Sequence, residues 1–338
     1  MEKPSAQLTL AHGSGGELTS QLLENGVFKL LKNDILLKKH DGAVFDLSGK
    51  LAFTTDSYVV SPIFFPGGNI GDLAVNGTVN DLAMCGAEPK FLSLSFILEE
   101  GFGEEELHAI LKSIRKAADL AGVLVVTGDT KVVERGKGDK IFINTSGIGL
   151  VHPKADIDAN NVQVGDKILI SGPIASHGTA IMSVREGLEF ESPIQSDTSG
   201  VHEQVLSLLE EFGRDIHFLR DPTRGGVATI LNEIARQTQL GMTLEWPQIP
   251  LDEPVQAACE MLGLDPLYVA NEGIFMVWVA EAVSEAALRK LQAATSGQRS
   301  AIIGTVVADH PGQVVMQTGI GGRRIVAMPS GEQLPRIC

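Results

Sequence analysis

The sequence contains no apolar run long enough to cross a bilayer and no cysteine pattern typical of a small disulfide-bonded fold. The longest strongly apolar stretch, Ile274–Ala280, is far shorter than the roughly 20 residues that a transmembrane helix needs. Its three cysteines, Cys85, Cys259 and Cys338, are odd in number and form no CxxC pair. This argues against a disulfide framework and against a cysteine zinc site. We therefore expect neither a membrane protein nor a disulfide-rich one.

Positive charge is also scarce. Lys and Arg number 27 against 42 Asp and Glu, which leaves a net charge of −15. A field of this sign repels nucleic acid and anionic membranes, so we expect neither as a partner. The first residues, MEKPSAQLTLAHGSGG, lack the apolar segment of a secretory signal. We therefore expect a cytoplasmic protein.

The two commonest nucleotide-binding motifs, GxxxxGK[ST] and GxGxxG, are both absent. What recurs instead is a short polar residue at a predicted strand end, in a glycine turn or on an otherwise apolar helix. Carboxylates of this kind suit magnesium, although each one alone is equally explained as a turn former or a helix cap. The set comprises Asp56 in TTDS, Asp72, Asn76 and Asp81 in GDLAVNGTVNDLAM, Asp129 in TGDTK and Asp221 in RDPTRGG.

Hydrophobic periodicity predicts an α+β protein built from α/β layers in two parts. Residues 1–155 are predicted to form a β-rich domain with helices on one side, and residues 156–328 an α/β domain. Residues 329–338 are predicted to be a flexible tail, with two prolines and little to bury. The predicted N-terminal elements are a hairpin of strands 43–47 and 51–55, helices at 73–85 and 104–121, and strands at 91–98 and 140–151.

The segments TTDS, GDLAVNGTVNDLAMCGAEPKFLSLSF, VVTGDTKVV and LRDPTRGG resemble the superfamily of aminoimidazole ribonucleotide synthetase, selenophosphate synthetase and thiamine-monophosphate kinase. Within that superfamily, HGSGG, NEG and the terminal PRIC resemble the HypE family of hydrogenase maturation proteins. The resemblance spans essentially the whole chain. It implies ATP held without a Walker motif, by aspartate-bound magnesium at a dimer interface. It also implies that a carbamoyl group on the C-terminal cysteine is dehydrated to a thiocyanate, whose cyanide goes to the iron of [NiFe] hydrogenase.

The same resemblance assigns roles along the chain. It implies a homodimer with ATP and Mg²⁺ as cofactors, a carbamoyltransferase partner, HypF, and a HypC–HypD iron-scaffold complex that accepts the cyanide. The N-terminal domain would bind ATP and dimerise. The implied catalytic residues are Cys338, Glu272 and Lys131; the implied metal ligands are Asp56, Asp81, Asp129 and Asp221; the implied nucleotide-binding residues are Gly15, Gly16, Asp56, Asp72, Asn76, Thr127, Gly128, Asp129, Thr130 and Arg224.

The chemistry of these residues is compatible with such a reaction even without the resemblance. A thiol is a suitable carrier because its thiolate is nucleophilic and its S–C bond stays labile. Glu272 or Lys131 is a candidate base; the alternatives are a turn carboxylate for Glu272 and a surface ion pair for Lys131. The tail could extend about 30 to 35 Å, far enough to move between an internal site and an outside partner.

The remaining cysteines and the histidines are interpreted as structural. Cys85 and Cys259 lie on apolar helical faces, which predicts core packing for both. The scattered residues His12, His177 and His202 are interpreted as ordinary.

Two other functions remain open. A small-molecule synthetase or kinase of the same superfamily is the nearest, but a selenophosphate synthetase is expected to carry a reactive cysteine or selenocysteine in its N-terminal glycine-rich loop, and HGSGG has none. A non-catalytic carrier that presents Cys338 is the other. Hydrolysis of ATP by the purified protein would separate it from the enzymes.

Overall fold

The computed structural model describes residues 7–14, 16–188, 194–294, 299–329, 334 and 336–338. The predicted mixed α/β class is confirmed. The helices are α1 Glu17–Leu22, α2 Lys29–Leu31, α3 Ile70–Met84, α4 Glu104–Ala121, α5 Ser176–Arg185, α6 His202–Phe212, α7 Gly226–Thr238, α8 Glu253–Leu262 and α9 Glu281–Ala294. The strands are β1 Leu51–Tyr58, β2 Phe64–Phe65, β3 Gly68–Asn69, β4 Ala87–Glu99, β5 Leu124–Val133, β6 Ile141–Val151, β7 Lys167–Ile170, β8 Ile216–Arg220, β9 Gly241–Glu245, β10 Met276–Val279, β11 Ala301–Val307, β12 Val314–Gln317 and β13 Arg323–Ile325.

The N-terminal strands form a sheet in the order β1-β6-β4-β5. Helices α3 and α4 cover one face of it, because β4 alternates buried and less buried residues and α4 carries an apolar stripe at helical spacing. The other face, which we call the open face, has an apolar row formed by Phe53, Ile148 and Phe91, which are in register across three strands. The side chain of Phe53 is 68% exposed there.

The predicted hairpin of 43–47 with 51–55 is wrong. Residues 43–47 form no strand, and β1 pairs antiparallel with β6 instead. An alternating apolar pattern shows that a segment is extended but does not identify its neighbour, which is chosen by long-range pairing. The consequence for the site is that β1, with Asp56, lies at one edge of the sheet and β5, with Asp129, at the other.

The C-terminal strands form a second sheet in the order β13-β12-β9-β11-β7-β10-β8. Strand β10 lies between β7 and β8 and is fully buried, which places the preceding NEG segment beside the end of β8. Helix α3 is buried almost all round because the N-terminal sheet covers one side and α6 packs on it as well. No helix in the described ranges is both long and apolar enough to span a bilayer.

The tail does more packing than predicted. Ile337 is only 2% exposed and joins the N-terminal core, and Leu334 and Cys338 pack against the same cluster. The expectation that the tail has little to bury is therefore wrong for these residues. A single branched side chain next to a cysteine gives no periodicity, so the sequence pattern could not show this burial.

Candidate active site

The NEG segment is fixed by contacts from three directions. The Asn271 side chain donates to the carbonyl of Pro222 (2.8 Å) and accepts from the N–H of Ala175 at the start of α5 (2.6 Å). A Cβ at Gly273 would lie 1.7 Å from the carbonyl oxygen of Asp197, so only glycine permits this close approach. Asn271 and Gly273 thus hold the backbone on either side of Glu272.

Glu272 is a buried carboxyl with one oxygen left unused. The backbone N–H of Glu272 and that of Gly273 both donate to the carboxylate of Asp197 (3.0 to 3.2 Å). The Asn80 side chain donates to the backbone carbonyl of Glu272 (3.2 Å). Its Oε1 has no hydrogen-bond partner among the described residues. Burial, followed by the charges of Asp197 and Asp221, raises the pKa of Glu272 well above its usual range. An unpaired buried carboxyl of this kind is a feature of functional sites.

Three of the predicted metal ligands lie around Glu272. Asp221 follows β8 and is buried, and burial together with the charge of Asp81 raises its pKa to about 7. Asp81, on α3, accepts a hydrogen bond from the Thr54 hydroxyl (2.7 Å), and burial raises its pKa as well. Asp56, on the same face of β1 as Thr54, adds to the raised pKa of all three buried carboxyls. We call Asp56, Asp81, Asp221 and Glu272 the acidic pocket.

Cys338 reaches the acidic pocket from the tail. Its carbonyl accepts the N–H of Val59 (3.1 Å), one residue beyond β1. Burial raises the pKa of its thiol to about 12; the charge of Glu272 contributes to this rise and that of Arg224 opposes it. Arg224 itself lines the cavity next to Cys338. The structure therefore brings together the predicted acceptor, one predicted base and three predicted metal ligands.

Asp129 and Lys131 lie elsewhere. Asp129 is in register with Ser95 and, through Asn144, with Ser57, which makes a polar row on the open face. Three strand spacings separate β5 from β1, which is about 14 Å. Lys131 donates to Asp129 (2.7 Å), and this bond lowers the pKa of that carboxyl. Within the chain, these two residues do not join the acidic pocket.

The other predicted nucleotide-binding residues divide between two cavities. Thr127, Gly128 and Thr130 line a cavity of about 290 Å³ between β5 and the segment 23–36, which contributes apolar side chains. Asp72 and Asn76 line a separate cavity of about 510 Å³ on the far side of α3.

The two N-terminal glycines complete the set. Gly16 is the N-cap of α1 and is exposed. Gly15 lies outside the described residues.

The described residues contain no group of three or more His, Cys, Asp or Glu side chains already arranged around a metal position. Magnesium needs fewer protein ligands than that, because it is held by one or two carboxylates and completes its shell with water and phosphate oxygens. The oxygen-only chemistry of Asp56, Asp81 and Asp221 fits a hard cation bound together with a phosphate group, and the raised pKa values of Asp81 and Asp221 show that negative charge is crowded there.

Sequence reasoning missed Asp197 and His177. Asp197 and Asn80 hold the backbone of Glu272; Asp197 belongs to no recognisable motif, whereas Asn80 lies in GDLAVNGTVNDLAM, where a polar residue on an apolar helix is its signal. His177, interpreted as ordinary, is fully buried and bonded to the tail. The sequence feature that could have indicated this role is the four-residue spacing of His177, Ile181 and Arg185.

The prediction of core packing holds for Cys259 and is wrong for Cys85, which is exposed.

The chain matches two family models. One, described as AIR synthase related protein, N-terminal domain, covers residues 39–151. The other, described as AIR synthase related protein, C-terminal domain, covers residues 163–317. Together they span most of the chain and both of its large sheets.

Individual relatives narrow the assignment. The carbamoyl dehydratase HypE of Azotobacter vinelandii is 50% identical over 335 residues, 99% of this chain and 98% of its own length. A crystal structure of the hydrogenase maturation protein HypE in complex with ATP is 48% identical with a TM-score of 0.94, covering 98% of this chain and 100% of that one. A chain in the crystal structure of a HypE–HypF complex is 44% identical with a TM-score of 0.80, covering 93% and 100%. The chain belongs to the HypE family of hydrogenase maturation proteins, within the AIR synthase superfamily.

Proposed function

We propose that this protein uses ATP to dehydrate a carbamoyl group carried on Cys338, giving a thiocyanate that supplies the cyanide ligand of [NiFe] hydrogenase. The observation that carries the proposal is that the mostly buried thiol of Cys338 feels the charge of the buried Glu272 carboxyl, whose Oε1 has no hydrogen-bond partner among the described residues. The relatives named carbamoyl dehydratase and the ATP-bound HypE structure support it.

The reaction removes two protons from the carbamoyl nitrogen, one in each of two steps. In the first step the thiocarbamate oxygen attacks the γ-phosphorus of ATP, ADP leaves, and the nitrogen gives up one proton, which forms S–C(OPO₃)=NH. In the second step the remaining N–H proton is removed, the C–O bond breaks, phosphate leaves and S–C≡N is formed. Phosphorylation is needed because an amide oxygen is a poor leaving group, and each proton needs a base within reach.

Glu272 is the base that the geometry favours for the second step. Its Oε1 is the unused oxygen, and Asp197 and Asn80 hold the backbone from which the buried carboxyl projects. Asp56, Asp81, Asp221 and Asp129 are the residues that would hold magnesium. When bound, the cation supplies positive charge to the ATP phosphates and the neighbouring carboxylates.

The complete site is proposed to form between two copies of the chain. Asp56 and Asp129 lie on the two free edges of one sheet, so a second copy that brings its β5 beside β1 would place the partner subunit's Asp129 and Lys131 at the acidic pocket. The exposed apolar row around Phe53 on the open face gives such a dimer an area to bury. The cavity between β5 and segment 23–36 has apolar walls suited to the adenine base.

The domain plan and the partners follow from the same proposal. Residues 1–155 form the nucleotide and dimer domain, 156–328 the domain that carries the NEG segment, and 329–338 the tail that carries the acceptor. HypF, which is found with HypE in a solved complex, loads the cysteine, and a HypC–HypD complex takes the cyanide.

The intact mass of the Glu272→Gln variant tests the proposal. Loaded through HypF and a carbamoyl donor, the variant acquires the carbamoyl adduct, and on addition of ATP the loss of one water slows at least about 100-fold, because Gln keeps the shape but cannot take a proton. Glu260→Gln, on the exposed face of α8, is the matched control and reacts like the wild type.

Two results would contradict the proposal. Dehydration of Glu272→Gln at the wild-type rate removes Glu272 from the mechanism. An adduct on Cys338→Ala removes the carrier and leaves a small-molecule synthetase or kinase as the better explanation.

A further inference from the structure

One face of helix α5 lies against the C-terminal tail. His177, Ile181 and Arg185 follow one another at intervals of four residues, which places them on a single side of the helix. The imidazole of His177 is fully buried, and its Nε2 lies 2.7 Å from the carbonyl oxygen of Ile337. Ile181 belongs to the same core cluster as Ile337. The tail is therefore held by a hydrogen bond and by apolar packing at the same residue.

The extended segment after β1 completes this surface. The N–H of Val59 donates to the carbonyl of Cys338 and the N–H of Ser61 to that of Arg336 (3.1 and 3.2 Å). Arg185 donates both to the Ser61 carbonyl (2.6 Å) and to the carbonyl of Arg336. We call the inward face of α5 together with residues 59–61 the tail dock.

The protonation state of His177 follows from its partners. A carbonyl only accepts, so Nε2 carries the proton and donates it to Ile337. Nδ1 then accepts from the Ser196 hydroxyl, 2.8 Å away, which itself receives the N–H of Thr198 (3.1 Å). Burial lowers the pKa of His177 to about 4, which keeps this neutral form at physiological pH.

The same loop also touches the base. Ser196 orients His177, while the next residue, Asp197, accepts the backbone N–H groups of Glu272 and Gly273. Two successive residues therefore hold the end of the tail and the backbone of Glu272. A shift of this loop would move both.

We propose that His177 is the positioning residue that seats the C-terminal tail in the tail dock and thereby sets Cys338 against Glu272. This inference rests on the proposed function for its catalytic meaning, but the seating itself is independent of any chemistry. Each anchor has its own role: Ile337 supplies the buried side chain, and His177 fixes the register of the backbone one residue before the thiol.

Alkylation of the three cysteines measures the seating directly. With iodoacetamide and site-resolved mass spectrometry, Cys338 reports the tail, the exposed Cys85 reports the reagent, and the buried Cys259 reports unfolding. We expect Cys338 in the wild type to react far more slowly than Cys85. Neither ATP nor a carbamoyl donor is present, so this measurement stands whether or not the proposed function is correct.

Four variants give the comparison. His177→Ala and Ile337→Ala are expected to raise the alkylation rate of Cys338 about tenfold or more, because each removes one anchor. His177→Gln, whose side-chain amide can donate from the place of Nε2, is expected to recover most of the protection. His217→Ala removes a buried histidine that hydrogen-bonds Asp166 and touches no tail residue among those described; it leaves the rate at Cys338 unchanged.

The outcomes separate cleanly. Unchanged Cys338 alkylation in Ile337→Ala and His177→Ala, with Cys259 still protected, overturns the proposal. If His177→Ala also exposes Cys259, the fold has been lost, and Ile337→Ala, which lies at the chain end, decides the question.

A second readout tests the catalytic meaning of the seating. In carbamoylated protein, His177→Ala slows the loss of water about tenfold while His177→Gln does not, and nucleotide affinity stays the same in both. Equal dehydration rates with altered alkylation would show that the dock seats the tail but does not position it for the reaction. If His177→Ala raises the alkylation rate of Cys338 but even the wild type fails to dehydrate the carbamoyl group, the proposed function is contradicted. The proposed role of His177 in seating the tail would still stand.

Discussion

The protein carries two acidic groups that differ in almost every physical respect. In the acidic pocket, Asp221 and Glu272 are buried and repel one another, and their pKa values are raised. On the open face, Asp129 is exposed and paired with Lys131, and its pKa is lowered. In the first group the mutual repulsion of the carboxyls outweighs the opposing charge of Arg220, and in the second the charge of Asp129 is already neutralised by Lys131.

This difference shows how the work of the site is divided. A buried, unpaired carboxyl group costs stability and is retained where a ligand or substrate will meet it. An exposed ion pair contributes little to stability and can reorganise when a phosphate or a second subunit arrives. Under the proposed function, each group by itself is half of a site that binds a triphosphate and a cation.

The largest expected effect is on ATP turnover, and it tests whether Asp56 and Asp129, one from each acidic group, act together in one site. Asp56→Asn and Asp129→Asn are each expected to lower ATP turnover at least about 100-fold, because each removes a charge at the cation. When the two inactive variants are refolded or exchanged together, mixed dimers contain one intact site, and about a quarter of the wild-type turnover returns. Turnover is measured as ADP release at saturating ATP.

The complementation has a direct control. Asp56 and Asp81 are contributed to a given site by the same subunit. In a mixed dimer of Asp56→Asn with Asp81→Asn, each of the two sites therefore lacks one of these carboxylates, and no activity is expected to return. If the Asp56 and Asp129 variants fail to complement each other while forming mixed dimers, the site is not shared.

The next effect concerns the open face. Phe53→Asp is expected to weaken dimerisation at least about tenfold, because it places a charge at the most exposed residue of the apolar row. Sedimentation velocity over a concentration series measures this. Leu120→Asp, at an equally exposed position on α4, serves as the control. A monomeric wild type with full activity would refute the shared site.

The third effect is on stability and its pH dependence. Asp221 has a folded-state pKa of about 7 against about 4 when unfolded, so the folded chain binds more protons in this interval and the wild type loses stability as pH rises through it. Asp221→Asn removes this loss and is expected to be more stable at pH 8 by on the order of 2 to 4 kcal/mol. Urea unfolding without ATP or divalent cations measures the gap, which should close toward pH 4. A gap of constant size would contradict the assignment.

The smallest effect is on the exposed pair. Lys131→Met is expected to change the free energy of unfolding by less than about 0.5 kcal/mol, because both partners are solvated. The same substitution should still lower ATP turnover if Lys131 meets the phosphates. Urea unfolding and ADP release on one preparation give both values. A large loss of stability would mean that the pair is structural.

The sequence predicted elements well where local signals agree. Helix α4 was predicted with its observed bounds, because three glutamates in the first turn, a continuous apolar stripe and Gly122 after the last turn all point the same way. The hairpin was wrong because residues 43–47 form no strand, although Gly49 has the positive φ of a turn residue. Here, pairing with distant β6 outweighs a local turn signal.

The same distinction applies to the site. Glu272, Asp81 and Cys338 could be predicted because they lie in short motifs whose residue types match a chemistry. His177 could not, because its meaning depends on a carbonyl 160 residues away along the chain. Asp129 was expected at a strand end or in a glycine turn, whereas it lies inside β5, and no sequence pattern shows which face of the sheet that strand turns outward.

The raised pKa of the docked thiol also bears on how the protein survives between reactions. Peroxides, disulfides and soft metal ions all attack the thiolate, and at a pKa of about 12 almost none is present. The seated Cys338 sulfur is thus protected from oxidation and from stray copper or zinc. Under the proposed function the tail must leave the dock to be loaded, and the sulfur is then vulnerable only during that time, which sets both the rate of loading and the rate of damage.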